Sequence, residues 1–158
     1  MPTLAALGSH IGMWTGTNGF RLMPSDPVSD APATAEVALR AGGHLVAISY
    51  AWSHPTDGAQ DGLLVVWASG DGAGVEALWG DSWHQSPKPT TCTGSSDGGL
   101  LVVGYEYQAG WRWNITVDVT DTEALRIQMD NVVPAEAAGE ATDVVYAAMS
   151  INLLRVET

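Results

Sequence analysis

The sequence predicts an all-β protein built as an antiparallel meander, and two observations carry that prediction. Apolar and polar residues alternate with a period of two over most of the chain, the spacing of a strand with one buried face. Short glycine-containing turns separate these segments, and helical spacing is confined to the N-terminus. A meander of this kind closes into a barrel or folds into a sandwich.

The elements follow one another closely. Residues 3–11 suit a short helix, and the alternation is clearest where Trp111 and Trp113 alternate with Arg112 and Asn114. Strands are predicted at 11–20, 34–40, 44–54, 63–69, 75–84, 100–109, 111–119, 125–130 and 144–156. Three polar stretches are predicted to be loops, either as surface connections or as gates at a barrel mouth: 23–34, 85–98 and 132–143.

Composition limits the classes of function. The 158 residues suit one domain over 1–158, and the net charge of -12 disfavours nucleic acid and anionic membrane surfaces as partners. No apolar run approaches the roughly 20 residues of a membrane span, and the first stretch, MPTLAALGSHIGMW, is not expected to be a secretory signal because it has no lysine or arginine and no long apolar run. The single Cys92 excludes an internal disulfide. We expect a cytoplasmic protein without membrane insertion, and the oligomeric state stays open, a homodimer included.

The first and last strands carry a resemblance to a known superfamily. The first contains Trp14 in "IGMWTGTNGF", and the last, "INLLRVE", contains Arg155. Together with the meander between them, these segments resemble the calycin superfamily. The positions of Gly16, Gly19 and the 34–54 hairpin are most similar to nitrobindin-like and fatty-acid-binding-protein-like barrels. The resemblance implies a lipocalin-like, antiparallel up-and-down β-barrel of about ten strands with a short N-terminal helix. It also implies that Arg155 lies across Trp14 and closes one end.

The same resemblance raises the question of haem. Nitrobindin-like barrels that hold haem use a histidine near the C-terminus, and residues 132–158 contain none. No cofactor is therefore expected, and haem would need His54 or His84 as a replacement ligand. The four histidines form no metal-binding motif, so no metal site is predicted.

The stretch "ALWGDSWHQSP" at 77–87 is the most unusual in the chain. On a regular strand Trp79, Asp81 and Trp83 share the inner face, and His84 faces the other way. We expect His84 to be a solvated rim residue unless a bulge or the end of the strand turns it inward. Burial would tend to raise the pKa of Asp81. Three interpretations stay open for Asp81: acceptor of tyrosine or tryptophan hydrogen bonds, polar group of a ligand pocket, and general acid or base.

Further aromatic residues belong to neighbouring segments. Tyr50, Trp52 and His54 share one face of 44–54, and both Tyr105 and Tyr107 are predicted to face inward, whereas His10 and His44 are expected to be exposed. The complete set of candidate ligand-binding residues is Tyr50, Trp52, His54, Trp79, Asp81, Trp83, His84, Tyr105, Tyr107, Trp111 and Trp113.

Four hypotheses for function follow. The first is binding of a small, mostly hydrophobic molecule in the barrel interior. The second is binding of haem or another porphyrin through His54 or His84. The third is an isomerase or lyase that uses Asp81 as acid or base on a hydrophobic substrate. The fourth is a barrel that supports protein contacts, with the aromatic residues as core only. Whether the protein is an enzyme stays open.

Overall fold

Ten antiparallel strands close into a barrel in the computed structural model, which describes residues 2–157. Each strand pairs with its neighbours in the chain, and β1 pairs with β10. The all-β up-and-down barrel is therefore confirmed, and the sandwich alternative is wrong. The elements are α1 (Pro2–Gly8), β1 (Gly12–Phe20), β2 (Ser29–Arg40), β3 (Leu45–His54), β4 (Gly58–Ala68), β5 (Val75–Asp81), β6 (Thr90–Asp97), β7 (Leu100–Gln108), β8 (Trp111–Asp118), β9 (Ala124–Val133), α2 (Ala135–Ala138) and β10 (Val144–Arg155).

Several boundaries differ from the sequence-based prediction. Strand β6 lies inside the stretch 85–98, which was predicted to be a loop. Only Cys92 of this strand is fully buried, so its threonines, serines and glycine show no hydrophobic alternation. Helix α2 likewise lies within the predicted loop 132–143. Both helices are short, and within residues 2–157 none has the length and apolar character needed to cross a bilayer.

The two ends of the barrel collect different loops. Because the strands alternate in direction, the connections after odd-numbered strands all meet at one end. We call this the aromatic end; it consists of 21–28, 55–57, 82–89, 109–110 and 134–143. At the opposite end, which we call the closed end, α1 lies against β2, β3, β4 and β6. There Leu7 is only 1% exposed, so the helix covers this opening of the barrel.

Trp14 fills the closed end beneath this helix. Its side chain is fully buried, and its indole Nε1 donates a hydrogen bond to the carbonyl oxygen of His10 at 2.9 Å. The guanidinium carbon of Arg155 lies 4.4 Å from the centre of the indole ring, a cation–π distance. The same guanidinium donates to the main-chain oxygens of Ser9, Ile11 and Thr122. The contact that the resemblance implied between Trp14 and Arg155 is thus present.

His10 is fully buried at the closed end, and the expectation that it is exposed was wrong. Its ring stacks on Trp14 with 5.2 Å between ring centres, and its Nε2 lies 3.0 Å from the carbonyl oxygen of Asp121. Helix α1 ends at Gly8, which brings the next turn of chain down onto the barrel opening. His44, in contrast, is exposed as expected.

Inward-facing apolar side chains fill the middle of the barrel. They come from strands all round the closed sheet and form one continuous buried cluster. Its largest fully buried members away from the closed end include Ile48, Leu64, Leu101, Ile115, Ile127, Met129, Met149 and Ile151. The core therefore separates the two ends, and we consider each end by itself as a site.

Candidate functional site

Strand β5 delivers Asp81 to the interior of the aromatic end. Buried and partly exposed residues alternate along this strand, and its last residue, Asp81, is only 4% exposed. The strand ends here rather than continuing to residue 84. Residues 82–85 fold back, and the amide of Asp81 donates to the carbonyl oxygen of Gln85 at 3.0 Å. This reversal decides which side chains surround the carboxylate.

Both oxygens of the Asp81 carboxylate accept hydrogen bonds. Oδ2 accepts from the hydroxyl of Tyr50 at 2.7 Å and from Nε1 of Trp52 at 3.3 Å. Oδ1 accepts from the backbone amides of Trp83 and His84 at 2.8 and 2.9 Å. The tyrosine and tryptophan donors of one sequence-based interpretation are therefore present, and the loop amides are added to them. A buried carboxylate with this many donors is held in its charged form.

The pKa of Asp81 lies below its ordinary value. Burial acts to raise it, but the nearby imidazole and the backbone amide of His84 and the hydroxyl of Tyr50 outweigh burial and lower it. Burial acts in the direction expected from the sequence, but the net shift is downward because the sequence did not reveal the donors. Burial and the nearby charge of Asp81 raise the pKa of Tyr50 well above its usual range. An ionised Asp81 cannot act as an acid near neutral pH, and its lowered pKa makes it a weak base.

Gly62 makes room for this network. It pairs with Asp81 in the register of β4 and β5, and a Cβ atom at Gly62 would collide with the ring of Tyr50. The hydroxyl of Tyr50 also accepts a hydrogen bond from Nε1 of Trp79 at 2.9 Å, which gives a chain from Trp79 through Tyr50 to Asp81. Asp61 and Gly62 both lie inside β4.

His84 is buried, with 8% of its side chain exposed, and the expectation of a solvated rim residue was wrong. The reversal after Asp81 turns its ring inward, where Nδ1 lies 3.4 Å from Oδ1 of Asp81. The ring lies among Trp52, Trp83 and Trp113, with 5.2, 4.9 and 5.0 Å between ring centres. His84 thus belongs to the interior rather than to the rim.

Trp83 and His54 form the outer layer of the aromatic cluster. Their rings stack with 4.6 Å between centres, and Nε1 of Trp83 donates to Oδ2 of Asp57 at 2.8 Å. Nδ1 of His54 accepts hydrogen bonds from the backbone amides of Thr56 and Asp57, so this histidine also holds the β3–β4 turn. Phe20, which the sequence analysis missed, contacts the rings of Trp52, His54, Trp83 and His84. Its position on the Trp14 face of β1 was the available signal.

A cleft of about 290 Å³ opens beside this cluster. Its walls are Trp79, Trp83, His84, Gln85, Tyr105, Tyr107 and Trp113. Six of these were predicted, and Gln85 was missed because a loop glutamine carries no signal of its own. Gln85 accepts a hydrogen bond from the Tyr105 hydroxyl at 2.5 Å and donates to the carbonyl oxygen of Lys88 at 2.7 Å. It therefore links the 82–89 loop to β7.

The remaining predicted residues lie further out. Tyr107 is 45% exposed and donates to Oδ1 of Asn131 at 2.7 Å, so it borders the mouth of the cleft rather than facing inward. Trp111 is half-buried, lies 6.3 Å from Tyr107 between ring centres, and is not one of the cleft's walls. Tyr105 lies deeper, and burial raises its pKa to about 12.

Three buried side chains contain polar atoms without a hydrogen-bond partner among the described residues. The unpaired atoms are both ring nitrogens of His84, Nε1 of Trp113, and both amide atoms of Asn18. An unpaired buried polar group costs roughly 1–3 kcal/mol. His84 and Trp113 both line the cleft, so two of the three lie at this one place.

The closed end has a larger groove, of about 710 Å³, on the outer surface of the barrel. Leu4, Leu39, His44 and Trp67 are among its walls, and none of its walls is one of the three residues with unpaired buried atoms. In the part of the chain that the structure describes, no three histidine, cysteine, aspartate or glutamate side chains are grouped to hold a metal ion.

Comparison with known proteins adds no family. No protein-family model matches the chain, and no curated protein does. The fold itself defines the class: a closed, ten-stranded, antiparallel up-and-down barrel, which is compatible with a calycin-like barrel.

Proposed function

We propose that this protein is a calycin-like barrel that binds a small, mostly apolar molecule in the cleft at its aromatic end. The contact between Trp14 and Arg155 supports the assignment to the calycin class. The single observation that carries the binding proposal is the cleft itself, an opening walled by aromatic side chains above a filled core.

The size and walls of the cleft limit the ligand. Its volume of about 290 Å³ lies at the lower edge of the range for small-molecule sites, roughly 300–1,000 Å³. Trp79 and Trp113, two of the walls, lie nearly parallel, with 5.7 Å between ring centres and 10° between planes. Flat aromatic walls favour planar ligands, which stack on them or meet them edge to face. A ligand of one or two rings suits this space.

The residues present do not fit a porphyrin. His84 is the buried histidine with an unpaired Nε2, but its ring lies within 6.0 Å of four other aromatic rings, those of Phe20, Trp52, Trp83 and Trp113. A haem plane bound to this nitrogen would have to displace several of these rings. His54 uses Nδ1 in the β3–β4 turn and stacks directly on Trp83. Neither histidine therefore offers an open face to the iron of a porphyrin.

The acid–base alternative finds little support in the site. Both oxygens of Asp81 are engaged by protein donors, and its lowered pKa is far from that of an efficient base at neutral pH. We therefore propose a positioning function for Asp81, which holds the aromatic walls and His84 in place around the ligand.

Two tryptophans allow a matched test of the binding site. Trp83 lines the cleft and Trp67 lines the larger groove, and each is half-buried and donates its indole hydrogen bond to one carboxylate. We expect Trp83→Ala to weaken the binding of naphthalene at least tenfold and Trp67→Ala to leave it unchanged. Binding is measured from the shifts of the indole N–H signals in NMR titrations.

The reverse pattern would place the ligand in the larger groove, and no binding to either variant or to the original protein would contradict the proposal. Native mass spectrometry of the purified protein complements this test. Extra mass that is lost on denaturation would identify a bound molecule directly.

A further inference from the structure

Two side chains in the wall of the cleft, His84 and Trp113, have unpaired polar atoms whose hydrogen-bonding chemistry limits the ligand. We infer that the bound molecule is a neutral, planar aromatic compound with one group that both donates and accepts a hydrogen bond, such as a phenolic hydroxyl. This inference rests on the proposed binding function and adds the class of ligand to it. Its basis is the pair of unpartnered side chains, His84 and Trp113, which are neighbours in the wall of the cleft.

Both side chains are more than nine-tenths buried. His84 has 8% of its side chain exposed, and Trp113 is 8% exposed as a residue. Their ring centres are 5.0 Å apart and their planes are inclined by 40°. Because their nitrogens lie below the protein surface, a ligand must part the two rings slightly to reach them. A buried polar group gains most from a partner that replaces the lost hydration.

The position of Asp81 decides what His84 offers. Nδ1 of His84 lies 3.4 Å from Oδ1 of Asp81, outside good hydrogen-bond geometry but facing an acceptor. An ionised carboxylate only accepts, so with a single hydrogen on the imidazole that hydrogen lies on Nδ1 and the lone pair is on Nε2. His84 therefore presents an acceptor to a ligand, through Nε2.

Trp113 presents the opposite chemistry. Indole has one N–H group and is a donor only, and Nε1 of Trp113 has no acceptor among residues 2–157. An acceptor and a donor on two rings whose centres are 5.0 Å apart match a hydroxyl, which donates its hydrogen to Nε2 of His84 and accepts from Nε1 of Trp113.

Charge disfavours the main alternative, an aromatic carboxylate. A carboxylate offers acceptors only, so it would leave the Nε2 lone pair of His84 without a donor when the imidazole hydrogen lies on Nδ1. It would also bring a second negative charge close to Asp81 in a protein whose net charge is -12. A neutral donor–acceptor group avoids both penalties.

The test compares four probes of similar shape: 2-naphthol, 2-methoxynaphthalene, naphthalene and, as the aromatic carboxylate, 2-naphthoate. We expect 2-naphthol to bind about tenfold or more tightly than naphthalene, with the methoxy compound between them because it accepts but does not donate. Affinities come from titrations that follow the seven indole N–H signals, and Trp113→Phe assigns the signal of Trp113. That signal should move downfield with 2-naphthol and not with naphthalene.

Matched variants separate polar recognition from packing. His84→Phe and Trp113→Phe keep an aromatic ring, and we expect each to reduce the preference for 2-naphthol over naphthalene to threefold or less. His44→Phe and Trp67→Phe, at the closed end, should leave this ratio unchanged. Because the ratio of the two affinities is taken within each variant, a general change in cleft shape affects both probes alike and cancels. Melting curves check that each variant is folded.

The outcomes distinguish this inference from the proposed function. Equal binding of 2-naphthol and naphthalene at the cleft would overturn the inference and leave the binding function standing. Tighter binding of 2-naphthoate than of 2-naphthol would overturn it in favour of an acid. If none of the probes shifts any indole signal of the cleft, the proposed function fails and the inference fails with it.

Discussion

The two ends of the barrel use the same kinds of side chain in opposite ways. At the closed end, His10 and Arg155 each pack against the Trp14 indole, and the imidazole, the indole N–H and the guanidinium all have hydrogen-bond partners in the protein. At the aromatic end, Asp81 is fully paired, but His84 and Trp113 are not. Tryptophan and histidine therefore close the barrel at one end and leave unpaired hydrogen-bonding atoms beside a cleft at the other.

This difference teaches that residue type alone does not distinguish a closed end of a barrel from a candidate binding site. The decisive quantity is whether the buried polar atoms are paired within the protein, because unpaired atoms cost free energy that a ligand can recover. The comparison predicts that changes at the closed end affect mainly stability. Changes at the aromatic end should affect both stability and binding.

The largest expected effect is that of Trp14→Ala. Removing a fully buried indole should lower the free energy of unfolding by about 3–5 kcal/mol, because a cavity replaces it and Arg155 loses its stacking surface. Denaturant unfolding measures this. Trp67→Ala, at a half-buried tryptophan outside the barrel, is the control and should cost clearly less. A loss below about 1 kcal/mol for Trp14→Ala would break the comparison.

Asp81→Ala should cost about 3 kcal/mol near neutral pH, since it leaves the Tyr50 hydroxyl, the Trp52 indole and two loop amides without their acceptor. The exposed Asp97, at the end of β6, provides the control Asp97→Ala. Circular dichroism during urea unfolding measures both. Equal stability of the two variants would mean that the donors find other acceptors.

The effect of Asp81 should also depend on pH. The pKa of Asp81 is lowered in the folded state, so its ionised form stabilises the fold above the unfolded pKa of about 3.9. That contribution is lost as the pH falls through the folded pKa. The gap in unfolding free energy between the original protein and Asp81→Ala should therefore be full at pH 6 and shrink in strongly acidic solution. A gap that grows on acidification would contradict the sign of this shift.

Arg155→Met should have a smaller effect, about 1–2 kcal/mol, because it removes the cation–π contact and three hydrogen bonds to main-chain oxygens at a partly exposed position. Arg155→Lys keeps the charge but loses the planar stacking and should recover only part of the loss. Thermal unfolding of the three proteins measures this order. Naphthalene binding at the other end should not change in either variant.

The smallest expected effect has the opposite sign. Asn18 is 1% exposed with both amide atoms unpaired, and it lies two residues before Phe20, the ring at the centre of the aromatic cluster. Asn18→Val removes the unpaired atoms and should stabilise the fold by about 1 kcal/mol. Chemical denaturation at pH 7 tests this, with the exposed Asn152→Val on β10 as control. Destabilisation by Asn18→Val would show that a bound water pairs the amide.

The alternation of apolar residues determined most of the fold in advance. A period of two predicts the meander and the inward faces of β3, β5 and β8. It also predicts that many aromatic side chains face the interior of the barrel. Strand β6 was not predicted, because pairing with β5 and β7, rather than its own apolar residues, holds it in the sheet. Backbone pairing does not require hydrophobic side chains, so a polar strand leaves little trace in a sequence.

The candidate site was predicted as a set of residues but not as an arrangement. Trp79, Asp81, Trp83 and Tyr105 were placed together from their strand positions, whereas the inward turn of His84 was considered only as the exception to a solvated rim position. That turn depends on the reversal of residues 82–85, which the Asp81 carboxylate stabilises by accepting two loop amides. Local loop geometry of this kind follows from hydrogen bonds that form only after the strands have met.

The sequence by itself therefore determined the architecture and the chemical inventory of this protein: antiparallel strands, an aromatic interior and a lone inward carboxylate. Only the tertiary structure decided which polar atoms are paired, because pairing depends on contacts between residues far apart in the chain. The hydrogen bond from Tyr50 to Asp81 joins β3 to β5, with β4 between them in the sheet. The hydrogen bond from Arg155 to Ser9 joins the last strand to the segment before the first strand. Periodicity is local and visible in one strand, whereas hydrogen-bond satisfaction is a property of the closed sheet.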